Sequence, residues 1–256
     1  MNQLKAVFFD FGGTIDLYPV DIENAHKAMA TMISILKEAG IDITNKYSVE
    51  EFYRLFSERL RKYKNWKSKT LIELSGLEVW KKYILFDEPN IDRMDEHTAE
   101  ELTFLIETGR FNRTARPEMK KVMEELVKND LFYGIISNVL SLTQVPRNLV
   151  DYGLESYFSK LVLSSAFGRS KPDPSIFLHA AQEAGFRPEE CLYVGNSPLK
   201  DIYGASNAGF LGTVQIEYLE DIDDVKDPGI EPDFYIKSME ELPDIIRSYL
   251  EGKHRN

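Results

Sequence analysis

The sequence has a single cysteine in 256 residues, Cys191. One thiol excludes an intrachain disulfide and a cysteine-only zinc site. At the head of an apolar run it reads as a buried structural residue rather than a nucleophile. Basic charge is also scarce: 31 Lys and Arg stand against 42 Asp and Glu, a net charge of -11 at pH 7. That balance argues against a nucleic-acid partner, because phosphate backbones demand a basic surface. No apolar run approaches the ~20 residues of a membrane span. The N-terminal apolar run meets Asp10 and is too short for a signal peptide, so a soluble cytoplasmic protein is expected. His26, His97, His179 and His254 lack metal-ligand spacing and read as surface or structural residues. There is no internal repeat and no low-complexity segment. Apolar residues are abundant, at 43%, enough to bury the core of one large domain or two small ones.

The chain is organised around Val7-Phe8-Phe9-Asp10-Phe11-Gly12-Gly13-Thr14. The wholly apolar start predicts a buried parallel strand over 5–10. A carboxylate at the carboxyl end of such a strand sits where open α/β sheets bind ligands. The glycines beside it let the backbone approach a substrate. The next convincing strand begins at Leu131, although a parallel neighbour needs a crossover of only about a dozen residues. The segment between is strongly helical, which predicts an inserted helical domain.

Apolar residues at helical spacing place the first inserted helix over 21–39. Capping boxes place the others at Ser48/Glu51, Thr70/Glu73 and Thr98/Glu101. Four helices with short links predict a compact antiparallel bundle. Strand and helix then alternate. Pro117 fits a first helical position. Strands are expected at 131–137, 161–163, 192–194, 214–216 and 234–236. Helices are expected over 144–152, from Asp173-Pro174 to Ala184, over 201–209, and after the Ser238/Glu241 cap. Such alternation implies a parallel sheet covered on both faces. The acidic stretch 221–227 reads as a surface loop, and the last four residues as a frayed end.

Four polar positions follow strands of this sheet: Asp10, Ser137, Lys171 and the Asn196/Asp201 pair. Gathered at one rim, they suit phosphoryl transfer. Asp10 could attack phosphorus and form an aspartyl-phosphate. The Phe11–Gly13 backbone N–H groups, the Ser137 hydroxyl and Lys171 could hold phosphate oxygens. A magnesium ion on oxygen ligands could neutralise charge between Asp10 and phosphate. Each group also has a bland reading: Asp10 as a turn cap, Ser137 as a strand end, Lys171 as a loop lysine, Asp201 as a cap of the following helix. The basic run 59–67 reads as a solvated helix face, or as a lure for an anionic substrate. Tyr63 and Trp66 within it read as packing. Arg110, Arg113 and Arg116 read as hinge or surface residues with substrate contact open.

The order Asp10-x-x-Gly13-Thr14, Ser137-Asn138, Lys171-Pro172-Asp173 and Gly195-x-Ser197-x-x-x-Asp201 resembles the haloacid-dehalogenase-like hydrolases. The resemblance covers 1–16 and 113–250. It implies a doubly wound parallel sheet, a Rossmann-like α/β core of 1–16 and 113–256, with an inserted α-helical cap over 17–112. It also implies a phosphohydrolase acting on a small phosphorylated compound. By resemblance Asp10 is the nucleophile and Lys171 its catalytic partner. Phe11, Gly12, Gly13, Thr14, Ser137, Asn138 and Lys171 bind phosphate. Magnesium takes Asp10, the Gly12 carbonyl, Asn196 and Asp201.

Two positions depart from the family pattern. Most family phosphatases carry a second aspartate two residues after the nucleophile, which protonates the leaving group and then activates water. Here that position is Gly12. Loss of a general acid/base forfeits about 10²–10⁴-fold in rate, so Gly12→Asp is expected to raise turnover. The fourth motif usually begins Gly-Asp and here begins Gly195-Asn196, which lowers the charge offered to magnesium. The departures keep two alternatives in view: a non-catalytic homologue that binds a phosphorylated ligand or a protein, and a phosphonate-cleaving hydrolase using a cap lysine. Oligomeric state is left open.

Overall fold

The computed structural model describes residues 3–218 and 229–253. The acidic stretch 221–227 and the terminal residues 254–256, His254 included, lie outside the described residues. The chain opens with β1 (Ala6–Phe9), then β2 (Asp16–Leu17). The helical insert follows. It comprises α1 (Ile22–Glu38), α2 (Val49–Thr70), α3 (Gly76–Val79, extended by a π-helical turn Trp80–Ile84) and α4 (Glu96–Thr108). β3 (Thr114–Ala115) pairs antiparallel with β2, so both crossings into the insert form a short ribbon. Then come α5 (Met119–Leu126), β4 (Phe132–Ser137), α6 (Gln144–Tyr152), β5 (Lys160–Leu163) and the short α7 (Ser164–Phe167). The chain closes with α8 (Pro174–Ala184), β6 (Cys191–Gly195), α9 (Gly204–Asn207), β7 (Gly212–Ile216), β8 (Phe234–Ile236) and α10 (Leu242–Leu250).

The main sheet runs β5-β4-β1-β6-β7-β8, all parallel. Successive side chains of β1 point to opposite faces. Val7 and Phe9 pack with Met119, Val122, Leu149 and Ile246 from α5, α6 and α10. Ala6 and Phe8 pack with Ile176, Phe177, Ala180 and Ala205 from α8 and α9. All four β1 residues are inaccessible, and burial of Phe8 and Phe9 contributes about 1.5–3 kcal/mol each. This is the doubly wound architecture the alternation predicts. The order reverses at β1: the chain moves outward through β4 and β5, then returns to β6 on the other side. The crevice beyond the β1 and β6 carboxyl ends is therefore the topological switch point. The insert has its own core, built on Met29, Phe52, Phe56, Tyr63, Trp80 and Leu102.

Local signals place most elements but misplace four helix starts. Ser48 caps α2 in a capping box with Glu51, as expected. Thr70, however, is the last residue of α2; Leu71 ends that helix in the left-handed region at φ 57. The capping box lies at Ser75/Glu78 instead. Glu73 is drawn inside, where it accepts from the Tyr63 hydroxyl, from Lys67 Nζ at 2.9 Å and from Ser164 Oγ at 2.8 Å. It thus ties α2 to the end of β5. For α4 the cap is Asp95, which accepts from the Thr98 N–H at 2.8 Å, one turn earlier than Thr98/Glu101 predicts. A carboxylate suits that site because helix N-termini favour negative charge. Pro117 begins a turn, and α5 starts two residues later. Asp201 does not start its helix: Ser197 caps a π-helical turn, Pro198–Tyr203, that runs on into α9.

The insert is also anchored to the loop after β4. Glu100 on α4 accepts from Ser141 Oγ and from the Leu142 and Thr143 N–H groups. Glu107 accepts from the Leu140 N–H at 2.9 Å. The helix position is thereby coupled to the segment that follows Ser137.

Candidate active site

The carboxyl ends of β1, β4 and β6 open into a cavity of about 540 Å³. Asp10, Gly12, Ser137, Lys171, Asn196 and Asp201 are on its wall. Lys171 on this wall is buried, at 3% exposure. Its three N–H donors all have partners: Asp10 Oδ1 at 2.7 Å, Asp201 Oδ1 at 2.7 Å and the Tyr193 hydroxyl at 2.8 Å. Burial alone would push this ammonium down, but the two carboxylates push it up and prevail. Asp10 is shifted upward as well, but by a different cause. Burial raises its pKa to about 6, with Lys171 opposing and Asp201 adding to the rise.

Local structure holds each group in place. Asn138 lines the cavity, but its amide is engaged with the Lys171 backbone. Its Oδ1 accepts from the Lys171 N–H at 2.8 Å and its Nδ2 donates to the Lys171 carbonyl at 2.9 Å. That two-point clamp fixes the backbone from which the lysine extends, ahead of a cis Lys171–Pro172 bond. Asp201 Oδ2 accepts from the Asn196 and Ser197 N–H groups at 3.1 and 2.9 Å. With Oδ1 on Lys171 and Tyr193, both of its oxygens are engaged. Gly195 permits this turn, because a Cβ there would lie 2.4 Å from Asp201 Cγ.

Within the first motif the residues divide. Gly13 has φ +83, and its N–H donates to the Asp16 carbonyl at 2.8 Å. It is therefore not available as the phosphate donor the sequence suggests; Phe11 and Gly12 are the turn residues on the cavity wall. Thr14 is wholly buried behind the turn, with its hydroxyl 3.3 Å from the Asn196 amide oxygen. Ser137 is buried and lines the cavity.

The Asn196 amide stands 3.1 Å from the Gly12 carbonyl oxygen and 3.2 Å from Asp10 Oδ2. With its NH₂ toward them it donates to both. With Oδ1 toward them, three oxygens converge: a carboxylate, a carbonyl and an amide. That donor set fits a hard cation, which takes oxygen ligands, and it carries one formal charge. Among the described residues there is no group of three His, Cys, Asp or Glu placed to hold a metal.

Asp16, Tyr18 and Tyr193 carry no signal in the local pattern, whereas Arg113 and Arg116, which read as hinge or surface residues with substrate contact open, are largely drawn inside. Arg113 lines the cavity and ion-pairs with Asp16, itself fully buried. Burial pushes the Asp16 carboxyl up to about 6 against that pairing. The Tyr152 hydroxyl donates to Asp16 Oδ2 at 3.1 Å, while Oδ1 has no hydrogen-bond partner among the described residues. Arg116 donates to the Gly13 carbonyl at 2.7 Å and pins the motif loop. Tyr18, also on the wall, stacks on Tyr218 at 5.5 Å and meets Phe111 edge-on at 5.4 Å. Burial, then Tyr218 and Asp10, push its phenol up. Tyr193 sits in an apolar strand, yet its hydroxyl completes the Lys171 shell.

The basic run of α2 splits in function. Arg59 is buried against Asp87 and the Ile84 carbonyl, Lys67 pairs with Glu73, Arg61 and Lys62 face solvent, and Lys64 reaches the cavity wall. Tyr63 is core and Trp66 packs against it, as expected. Cys191 is buried and free, and burial pushes its thiol up to about 12. Among the described residues no helix is long and apolar enough to cross a membrane.

A family model described as haloacid dehalogenase-like hydrolase matches residues 4–209. A glyceraldehyde 3-phosphate phosphatase of Methanopyrus kandleri is 29% identical over 250 residues, covering 96% of this chain and 98% of that protein. An N-acylneuraminate-9-phosphatase of Rattus norvegicus is 25% identical over 248 residues, covering 97% and 96%. Among solved structures, a 2-haloacid dehalogenase from Pseudomonas syringae pv. Tomato superposes with a TM-score of 0.64 at 24% identity, covering 96% of this chain and 99% of that one. That likeness concerns the fold.

Proposed function

The chain belongs to the haloacid dehalogenase-like hydrolase family, and we propose that it is a magnesium-dependent phosphohydrolase of small phosphomonoesters working through an Asp10 aspartyl-phosphate. The observation that carries this reading is Lys171 held 2.7 Å from Asp10, on a cavity wall shared with Ser137. The Lys171 charge draws the phosphate to Asp10, the Ser137 hydroxyl binds a phosphate oxygen, and the Phe11–Gly12 turn brings the backbone against it. The Asp10 carboxylate attacks phosphorus and the ester oxygen leaves; water then releases phosphate from Asp10. Magnesium, held by Asp10, the Gly12 carbonyl and Asn196, would neutralise charge on the transferring group. Asp201 acts through Lys171 and the 196–197 backbone, because both its oxygens already serve them. Residues 17–112 are taken as the cap, and Lys64, Glu107 and Phe111 are its contribution to the cavity wall.

The first test is phosphate release from a panel: glyceraldehyde 3-phosphate, phosphoserine, phosphoglycolate, N-acylneuraminate 9-phosphate and p-nitrophenyl phosphate, each with magnesium and with chelator. Turnover that requires magnesium on at least one ester is expected. No release above an Asp10→Asn control on any ester would move the weight to the non-catalytic ligand-binding reading.

A second expectation concerns the metal alone. Asn196→Asp adds a charge to the oxygen set and is expected to tighten magnesium binding about tenfold, equivalent to ~1.4 kcal/mol. Without metal it places a carboxylate against Asp10, so the variant should melt lower in chelator and gain more from magnesium than wild type. Calorimetric titration and thermal melts read both effects. Equal magnesium affinity in the two proteins would remove Asn196 from the ligand set.

A further inference from the structure

The position that would carry the second aspartate is not an open space. A Cβ built on Gly12 lies 3.1 Å from Tyr18 Cε1, 3.6 Å from its Cζ and 3.7 Å from its Cδ1. The ring of Tyr18, the residue after β2, therefore lies against the place where a side chain at residue 12 would begin. Tyr18 lines the same cavity as Asp10. Among the described residues the Tyr18 hydroxyl makes no hydrogen bond. The ring is held by its neighbours instead: Tyr218 stacked, Phe111 edge-on, and the Arg113 guanidinium 4.8 Å from the centroid.

We propose that Tyr18 is the proton donor and acceptor of this site, taking over the task that a carboxylate at residue 12 would perform. The inference rests on the phosphohydrolase reading above and adds the residue which that reading leaves missing. A phenol is protonated at neutral pH and can both donate and accept. In the first half-reaction an Asp10 oxygen bonds to phosphorus, the bond from phosphorus to the ester oxygen breaks, and the Tyr18 O–H proton moves to that oxygen as the alcohol departs. In the second, the phenolate takes a proton from water as the water oxygen bonds to phosphorus. The Asp10–phosphorus link breaks, returning carboxylate, phenol and inorganic phosphate. The Arg113 cation over the ring favours the transient phenolate. The turn that brings residue 18 back over residue 12 is closed by the Ile15 and Asp16 N–H groups, both donating to the Phe11 carbonyl.

Gly12→Asp alone then gains nothing, because the new side chain meets the Tyr18 ring. This revises the expectation drawn from the motif.

The test compares wild type, Asp10→Asn and Tyr18→Phe on two panel esters: the alkyl ester turned over fastest, and p-nitrophenyl phosphate. Phenylalanine keeps the ring packing. Tyr18→Phe is expected to lower kcat/KM for the alkyl ester by about 10²–10⁴-fold. The first-turnover burst of nitrophenolate should stay within about threefold, because that leaving group departs without a proton. The double variant Gly12→Asp/Tyr18→Ala is expected to recover about tenfold or more over Tyr18→Ala. Alkyl turnover retained by Tyr18→Phe, with Asp10→Asn inactive, overturns the role of Tyr18 and leaves the phosphohydrolase reading standing. Equal loss of alkyl turnover and burst also overturns it, since Tyr18 would then shape the site rather than move a proton. Wild type no better than Asp10→Asn on either ester removes both readings together.

Discussion

Asp10→Asn is expected to lose phosphate release by about 10⁴-fold or more, the scale on which removal of a covalent nucleophile acts, while remaining at least as stable as wild type at pH 7. The two halves have one cause. Asp10 and Asp201 share a single buried cation, Lys171, so the cluster carries one formal negative charge in excess. Asparagine removes that excess and keeps an oxygen able to accept from Lys171 Nζ. The pH dependence has a definite sign. In the folded protein Asp10 is raised from 3.8 to about 6, so between those values the folded state binds more protons than the unfolded one. Stability contributed through Asp10 therefore falls as pH rises through this window. The variant has no such group, so its advantage should be present at pH 7 and shrink as pH falls from about 6 toward 4. Asp16 titrates in the same window but is common to both proteins and cancels. Denaturant midpoints of the two proteins at pH 7 and pH 4.5 would read the difference. A variant clearly less stable than wild type at pH 7 would mean that Asp10 is a structural ion-pair partner first.

The sequence discloses the frame of this site because the frame is local. An apolar run ending in Asp10, and Asp173-Pro174 opening a helix, are signals a few residues long; the strands, α8 and the rim of polar groups follow from them. What is not legible depends on partners far along the chain. Thr70-x-x-Glu73 has the same form as Ser75-x-x-Glu78, and only the tertiary partner decides between them: Glu73 meets Ser164, 91 residues away. Asp16 carries no local signal, and its partner Arg113 lies 97 residues on. Tyr193 looks like one more apolar strand residue, and its hydroxyl matters because Lys171 arrives from a different loop. Asn138, by resemblance a phosphate ligand, spends its amide on the Lys171 backbone. The glycine at residue 12 marks a departure from the family pattern but is silent on what fills the space. That answer needs the turn that folds Tyr18 back over it.

Lys171→Met is expected to do the opposite to stability of what Asp10→Asn does. Its removal leaves Asp10 and Asp201 facing each other in a buried site with no cation between them, and frees the Tyr193 hydroxyl of its donor. Taking one partner from a buried charge network costs about 3–5 kcal/mol. In a chain of this size that lowers Tm by roughly 10 °C. Methionine fills most of the lysine stem's volume, so the loss would report charge rather than a cavity. Turnover should fall as well, since the site loses the buried cation in contact with Asp10. Chemistry and charge balance are separated by the double variant. Asp10→Asn added to Lys171→Met removes one of the two facing carboxylates and should recover about 1–3 kcal/mol, while activity stays absent. Two stability losses that simply add, or a Lys171→Met protein that melts within about 2 °C of wild type, would show that these groups are not energetically coupled. The nucleophile's environment would then have to come from elsewhere in the cavity. Recovery on combining the two changes would identify Lys171 as the residue that lets two carboxylates stay at one rim, which is the condition for keeping a charged nucleophile there at all.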